Sequence, residues 1–414
     1  MASSSDTARL SASAPSPGAL ASSRANAVIA ATGAAIGALA VSFGPFLALR
    51  PNRVVSGETA SAIGAFGAWG WALLGVWIAI AILSRTPERR REVGRSAAPL
   101  LRGLLGVAAL GIVLAQAGVA AAEFAVSSGP AARTSFGWSF YLMLFGLFLT
   151  QYAASADAVG RVSRALLAWS LPVTVLALAA SGVLAELGIV REWMLARDTF
   201  ARALGEHLAY ALGATGIAVV LGVPLGVLSA RSAAAEAPIM GTLNLGQVFP
   251  ALAFVGIMMP LLGGLSDRVP ILAAAGVAGI GWAPVLIVLV IYALFPVVRN
   301  TLVAIRQLDP AVLDSAKGMG MGRWRSLAEI ELPLAFPIVL AGVRIALVQS
   351  TAGAVLAAFV GGGGLGTIMF FGLEQTSMDL VLVGVLPIVA FALLFDAVLR
   401  GIERAAGGEG ADLP

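Results

Sequence analysis

The stretch that decides the fold spans residues 314–333, DSAKGMGMGRWRSLAEIELP. It carries several charged side chains, yet strongly apolar runs lie on both sides of it. Clustered charges and exposed backbone groups are costly in hydrocarbon unless they have internal partners. The stretch therefore predicts a structured loop that leaves a membrane on one side and offers a surface to another protein.

The composition predicts an integral membrane protein. The chain has 414 residues, of which 59% are hydrophobic and 12% are charged, and its mean hydropathy is +0.93. A bilayer core of about 30 Å needs about 20 apolar residues per helix. We therefore expect an all-α, polytopic fold with about ten transmembrane helices. The apolar runs lie near 27–49, 60–83, 103–125, 136–154, 165–188, 208–230, 238–262, 271–297, 337–360 and 379–399.

The basic residues predict the orientation. When the charged loop after residue 297 is placed on the cytoplasmic side, most of the 26 Lys and Arg residues fall on that side. Cytoplasmic loops of membrane proteins carry this excess. Both termini are then expected to be cytoplasmic. The high pI reflects orientation in the membrane, so lipid is an expected partner and nucleic acid is not.

Several kinds of chemistry are excluded by what the sequence lacks. It has no cysteine, which excludes disulfides, thiolate metal sites and cysteine nucleophiles. One histidine, His207, cannot build a metal site and is expected at the membrane interface. The single lysine, Lys317, precedes Gly318, so the phosphate-binding loop G-x-x-x-x-G-K-[ST] cannot form. We predict no catalytic residue, metal or cofactor, and no ATP hydrolysis by this chain.

The order of the apolar runs predicts two membrane blocks. In the segment between them, charges interrupt apolar residues at helical spacing, which indicates an amphipathic helix on the outer surface that serves as a lid or as a simple connector. The predicted parts are a disordered cytoplasmic tail 1–26, a five-helix block 27–188, the external connector 189–207, a core 208–400 that contains a loop 309–333, and a cytoplasmic tail 401–414.

The loop itself is predicted to be rigid. Asp309 is a suitable N-cap and Pro310 a suitable first residue for a short helix that Gly318 and Gly320 can end. A second short helix is expected over 323–332, stopped by Pro333. Two short helices joined by a glycine turn can transmit force.

The loop resembles the E-A-A loop of ABC-importer permeases. That pattern is Glu-Ala-Ala, three residues, Gly, nine residues, Ile, one residue, Leu-Pro. The positions that match its spacing are Asp314, Ser315, Ala316, Gly320, Ile330, Leu332 and Pro333, with Asp and Ser in place of the usual Glu and Ala. Three longer stretches resemble one branch of this family, the osmoprotectant permeases. They are LGVPLGVLSAR at 221–231, the stretch 316–344 and LAAFVGGGGLGTIMFFGL at 356–373.

The resemblance implies a type I, MetI-like permease core in the second half of the chain. It implies that residues 314–320, including Lys317 and Gly318, seat on an ABC ATPase subunit. It also implies a second permease copy or a paralogue, an external solute-binding protein and a bacterial or archaeal plasma membrane. The implied cargo is glycine betaine, choline, carnitine or proline betaine. The first half resembles the N-terminal extension of some members of this branch.

Candidates for the pathway come from glycines and polar residues within the spans. The run Gly361, Gly362, Gly363 and Gly364 is interpreted as a gate segment or as tight helix packing. Polar candidates are Asn244 and Gln247 on one helix face, and Gln349, Ser350 and Thr351 near the middle of a span, all of which could instead join helices by hydrogen bonds. Arg344 and Asp396 are expected to form a structural ion pair.

Two other classes remain open at this point. Five helices followed by five in the opposite sense is also the outline of an ion-driven secondary transporter with inverted repeats. Such a transporter would need charged or broken-helix sites in both halves, and the first half has no Asp, Lys or His at mid-span depth. A membrane scaffold without transport is the third interpretation, for residues 27–188 taken alone.

Overall fold

The computed structural model describes residues 17–53, 55, 57–85 and 97–407, and the chain divides into two compact units, Met1–Arg191 and Glu192–Pro414. Helix α1 begins at Pro17, within the tail predicted over 1–26. The remainder of that tail, most of the arginine-rich loop after residue 85 and the last residues of the chain lie outside the described residues.

The first unit consists of helices and one small sheet. Its elements are α1 Pro17–Ser42, β1 Leu47–Arg50, β2 Glu58–Ala60, α2 Ala62–Phe66, α3 Ala68–Ser84, α4 Ala98–Ser128, β3 Arg133–Phe136, α5 Trp138–Asp157 and α6 Arg161–Ala180. The strands form an antiparallel sheet in the order β2-β1-β3. The sequence prediction missed these strands, because each has only three or four residues and no alternating pattern.

Small residues let the helices of the first unit approach one another closely. Gly33 and Gly37 stand four apart on α1, and a Cβ at Gly33 would lie 2.6 Å from the carbonyl oxygen of Gly146 on α5. A Cβ at Gly37 would collide with the indole of Trp77, which is fully buried. Small residues at this spacing are typical of membrane helix contacts. At one end of the unit, Arg102 is buried and pairs with Asp157 at 2.9 Å.

The second unit contains the remaining helices, the first of which begins at Gly188, in the last residues of the first unit. After α7 Gly188–Arg231 come α8 Ala233–Val248, α9 Ala251–Arg268, α10 Pro270–Ala274, α11 Trp282–Arg306, α12 Pro310–Gly318, α13 Arg323–Ser326, a π-helical turn Leu327–Glu331, α14 Leu332–Gly353, a 3-10 segment Ala354–Val360, α15 Leu365–Glu374 and α16 Met378–Gly407. Buried side chains of α7, α11 and α14, among them Ala218, Val297 and Ala346, form part of the core.

Helices α7 and α11 are held together by another pair of small residues. Gly222 and Gly226 stand four apart on α7, on either side of Pro224. A Cβ at Gly222 would lie 2.9 Å from Cγ1 of Val297, and a Cβ at Gly226 would lie 2.8 Å from Cγ2 of Thr301. Larger residues would therefore push the two helices apart.

The predicted class, an all-α polytopic membrane protein, is confirmed. Within the described ranges, nine helices are long and apolar enough to cross a membrane, and Ala68–Ser84 is a shorter apolar helix. The positions of two spans were wrong. The span expected at 238–262 is divided between α8 and α9, because the backbone is extended at Phe249 and Pro250, with ψ of 135° and 127°, and a residue before proline disfavours the helical conformation. The span expected at 271–297 begins only at Trp282, after the glycine turn at Gly276.

The connector predicted at 189–207 is not a separate element. It forms the first part of α7, a helix of 44 residues that continues without interruption into the sixth apolar run. Glu192 and His207, near the two ends of the predicted connector, are both buried. The charged stretch is therefore a helix that other parts of the protein partly cover. Its sequence pattern is the same as that of a helix lying on a membrane surface, so the sequence could not distinguish the two.

Candidate functional site

The loop at 309–326 is a compact protrusion built from two short helices. Asp309 caps α12 by accepting a hydrogen bond from the backbone N–H of Ala311 at 2.8 Å, and Pro310 occupies the first turn. After α12 the chain reverses at Gly320, whose φ of +77° is a left-handed conformation that favours glycine. The Gly320 N–H donates to the Lys317 carbonyl at 2.9 Å, which closes the turn.

One face of the protrusion is anchored and the other is exposed. Ala316 is fully buried, whereas the predicted contact residues Asp314, Ser315, Lys317, Gly318 and Gly320 are all exposed. Asp314 and Lys317 pair across one helical turn at 2.9 Å in the open. On α13 the indole of Trp324 is 81% exposed. An exposed tryptophan beside a rigid turn is the kind of side chain that anchors a protein interface.

The base of the loop is a π-helical turn, Leu327–Glu331, which leads directly into α14. The second short helix expected over 323–332 therefore does not stop at Pro333. Pro333 lies in the first turn of α14, where a missing N–H costs little, so the chain continues as a helix. Ile330 and Leu332 are partly buried and Pro333 is exposed.

A buried carboxylate ties this base to another helix. Glu331 is only 7% exposed, and Nη2 of Arg231, the last residue of α7, contacts its two oxygens at 2.9 and 2.8 Å. The Ser326 hydroxyl donates to the same carboxylate at 3.1 Å. Sequence reasoning did not single out this pair. Its signal was present, because Arg231 and Glu331 each lie within a stretch that carried the family resemblance.

The glycine run forms a turn after the 3-10 segment Ala354–Val360. Gly361, Gly363 and Gly364 have φ values of +71°, +79° and +81°, all in the region that favours glycine. Gly362 closes the turn by donating its N–H to the Ala357 carbonyl at 2.8 Å. Glycine is therefore required at 361, 363 and 364 by the backbone conformation, in addition to any close packing of helices.

Side chains near the start of the sixth apolar run hold this turn. The Glu206 carboxylate accepts a hydrogen bond from the N–H of Gly364 at 2.8 Å, and the Tyr210 hydroxyl donates to the carbonyl of Gly362 at 2.6 Å. Nε2 of His207 lies 2.9 Å from the carbonyl oxygen of Thr351. A histidine nitrogen facing a carbonyl carries the proton. His207 is fully buried against α14, so protein covers it, and its predicted position at the membrane interface stays a prediction.

The remaining pathway candidates occupy varied environments. Asn244 is exposed, and Gln247 donates from Nε2 to the Tyr292 carbonyl at 3.2 Å. Gln349 is half-buried and Ser350 is buried. The Thr351 hydroxyl donates to the Leu347 carbonyl of its own helix at 2.7 Å, so it is satisfied locally.

The expected ion pair between Arg344 of α14 and Asp396 of α16 is confirmed. Nη1 of Arg344 lies 2.8 Å from Asp396, and its Nε lies 2.9 Å from Glu403. Asp396 also pairs with Arg400 one turn along α16. Because two carboxylates of α16 hold one guanidinium of α14, this cluster joins two helices.

Comparisons with known proteins agree with this architecture. A family model described as "Binding-protein-dependent transport system inner membrane component" matches residues 222–407, and one described as "ABC transporter permease YehY, N-terminal domain" matches residues 25–190. The "Glycine betaine/carnitine/choline transport system permease protein OpuCB" of Bacillus subtilis is 34% identical over 206 residues, which are 50% of this chain and 88% of that protein.

Two further matches have similar extents. The "Osmoprotectant import permease protein OsmW" of Salmonella typhimurium is 32% identical over 198 residues, 48% of this chain and 87% of that protein. A solved structure described as "Inward facing conformations of the MetNI methionine ABC transporter" is 20% identical, covers 50% of this chain and 95% of its own, and gives a TM-score of 0.44.

The chain belongs to the binding-protein-dependent transport system inner-membrane components, the permease subunits of ABC importers. Within that family its relatives include the osmoprotectant permeases, and its first half matches the N-terminal domain of YehY-type permeases. Permease subunits are not themselves enzymes. The alternative of an ion-driven secondary transporter is not favoured by these matches.

Proposed function

We propose that this chain forms the transmembrane pathway of an ATP-driven importer for compatible solutes such as glycine betaine or choline. The observation that carries the proposal is the exposed protrusion at 309–326, capped by Asp309 and locked by the left-handed turn at Gly320. A loop of this stiffness can pass on a push from a partner, whereas a flexible loop would absorb it. The matches to permeases of osmoprotectant importers support the same conclusion.

The partner that docks on the protrusion is an ABC ATPase subunit. Asp314, Ser315, Lys317 and Gly318 offer exposed polar and backbone groups, and Trp324 offers a large apolar surface nearby. Since this chain has no phosphate-binding loop, the partner supplies ATP hydrolysis. A second copy of the chain, or a paralogue, completes the pathway, so that each copy seats one protrusion on one ATPase subunit.

The cargo class rests on the relatives, whose names include glycine betaine, carnitine and choline. An external solute-binding protein delivers the cargo and discriminates among these small zwitterions and cations. The glycine turn at 361–364 acts as the gate segment. The candidates for polar groups along the path remain Asn244, Gln247, Gln349, Ser350 and Thr351.

The proposal places the protein in a bacterial or archaeal plasma membrane. The protrusion and both termini lie in the cytoplasm, as the excess of arginine on that side supports. In this orientation the protrusion faces cytoplasmic ATP, and the glycine turn lies toward the exterior.

Uptake into proteoliposomes tests the function. The chain is co-expressed with its candidate ATPase subunit, reconstituted with ATP inside or outside the vesicles, and given radiolabelled glycine betaine and the binding protein. ATP-dependent uptake together with stoichiometric recovery of the ATPase supports the proposal. Uptake driven by an ion gradient in the absence of ATP would overturn it, as would purification in gentle detergent without any ATPase. A Trp169→Ala variant, changed at an exposed tryptophan of the first unit, is the control for surface alteration.

A further inference from the structure

Helix α7 is fastened at its inner end to the base of the protrusion. Arg231 reaches Glu331 through Nη2 alone, at 2.8 Å from one carboxylate oxygen and 2.9 Å from the other. Ser326 adds a third hydrogen bond at 3.1 Å. A mostly buried carboxylate is costly unless it is paired, so this contact opposes separation of α7 from the π-helical turn. Arg231, Ser326 and Glu331 are called the inner clamp.

The same helix is fastened near its other end to the glycine turn. Glu206, His207 and Tyr210 bond to backbone groups of Gly364, Thr351 and Gly362 respectively. These three side chains are called the outer clamp. They occupy positions i, i+1 and i+4 of one helix and hold the backbone on both sides of the 3-10 segment, so the turn cannot move far unless α7 moves or the bonds break.

The two clamps are separated by about the thickness of a membrane. Residues 206 and 231 are 25 positions apart on one helix, which at 1.5 Å per residue is about 37 Å. Pro224 lies between them and would allow a bend. Gly222 and Gly226, on either side of the proline, bring α7 into close contact with α11, so the helix is supported along the part where it is weakest.

From this arrangement we propose that α7 is a second mechanical link between the protrusion and the glycine turn. The first link is covalent and runs through α14. The second link begins at the contact of Glu331 with Arg231. It then follows α7 to the outer clamp, whose side chains bond to the glycine turn. Arg231, Glu206, His207 and Tyr210 are thus positioning residues that make the turn follow the protrusion. The inference rests on the proposed docking of the protrusion on an ATPase.

The test compares one variant at each clamp with their combination. Glu331→Gln keeps the shape of the side chain and removes its charge, and Tyr210→Phe removes only the hydroxyl. In reconstituted complexes we expect each to lower the solute transported per ATP hydrolysed by about fivefold, the lower end of typical coupling between sites. Because both act on one link, the double variant is expected to match the more affected single variant.

A matched control lies outside the protrusion. Glu236 of α8 pairs with Arg306 of α11, and neither residue belongs to a clamp or to the protrusion. Glu236→Gln therefore makes the same substitution at another paired carboxylate, and we expect the ratio of solute to ATP to stay at the wild-type value. If Glu331→Gln fails to assemble, Ser326→Ala replaces it, since that change removes a single hydrogen bond of the inner clamp.

The outcomes separate the possible roles. An unchanged ratio in both clamp variants overturns the inference, and so do losses that multiply in the double variant, which would indicate two independent structural defects. A wild-type complex without ATP-dependent uptake would instead refute the proposed function. Wild-type uptake with non-additive loss in the variants supports the link through α7.

Discussion

Replacing Gly320 with valine tests whether the left-handed turn in the protrusion is needed for docking on the ATPase. Gly320 has a φ of +77°, and a Cβ built there would meet nothing within 4 Å. Valine would therefore create no collision within the chain. It would only have to adopt a left-handed backbone, in which the Cβ approaches the carbonyl oxygen that follows it.

The cost follows from that conformation. A left-handed residue with a side chain costs about 1–2 kcal/mol, and a β-branched residue lies at or above the upper value. Since about 1.4 kcal/mol is a factor of ten, the native turn becomes about 5–30 times less populated relative to its alternatives. If the ATPase binds only the native turn, its affinity for the permease falls by up to the same factor.

The matched control is Gly322→Val. Gly322 also has open space around its Cβ, but its φ of −70° and ψ of 159° suit a β-branched residue. The assay titrates each purified variant with the ATPase subunit and then measures uptake and ATP hydrolysis in vesicles. We expect Gly320→Val to insert normally, bind weakly and transport poorly, and Gly322→Val to resemble the wild type. Equal behaviour of the two valines, or full coupled uptake by Gly320→Val, would refute the reasoning.

Three more outcomes are expected. Trp324→Ala should weaken ATPase binding about tenfold or more, as loss of an interface anchor does, with an unchanged melting temperature by fluorescence. Gly363→Ala should lower transport but not ATPase binding, because its Cβ would collide with the outer clamp and its φ is +79°. Hydrogen bonds from Arg306 hold the pKa of the Glu236 carboxyl below its usual range. The stability that this pair contributes is therefore fully present above pH 4.5, and it is lost as the pH falls through the lowered pKa that Glu236 has in the folded protein. Thermal melts of Glu236→Gln should accordingly lose part of this acid dependence, and identical pH profiles would contradict that expectation.

Much of the fold followed from simple physical patterns. Apolar length alone located most of the spans, because each must cross about 30 Å of hydrocarbon. The failures lie where a local feature overrides length. Pro250 divides one span, and the short strands near Leu47 are held by pairing with distant partners that a single pass along the chain does not reveal. The buried Glu192 resembles a surface residue in sequence, because amphipathic spacing is the same for both cases.

The candidate site was predicted in part. The cap at Asp309 and the turn at Gly320 follow from residue type and spacing, and the structure contains both. The partners of these elements were not predictable, since Arg231 lies 100 positions from Glu331 and Glu206 lies 158 positions from Gly364. Such contacts depend on how the helices pack. They become visible only when the fold brings separate stretches of the chain together.

The central claim is that the protrusion lies in the cytoplasm and seats on an ATPase, and a single introduced cysteine tests it directly. The chain has no cysteine of its own, and Ser315 is exposed on α12, so Ser315→Cys provides one accessible thiol. Labelling with a membrane-impermeant maleimide is compared in right-side-out and inside-out vesicles, with and without the ATPase subunit. We predict labelling only in inside-out vesicles and protection by the ATPase. Labelling from the exterior, or full labelling in the presence of bound ATPase, would contradict the account.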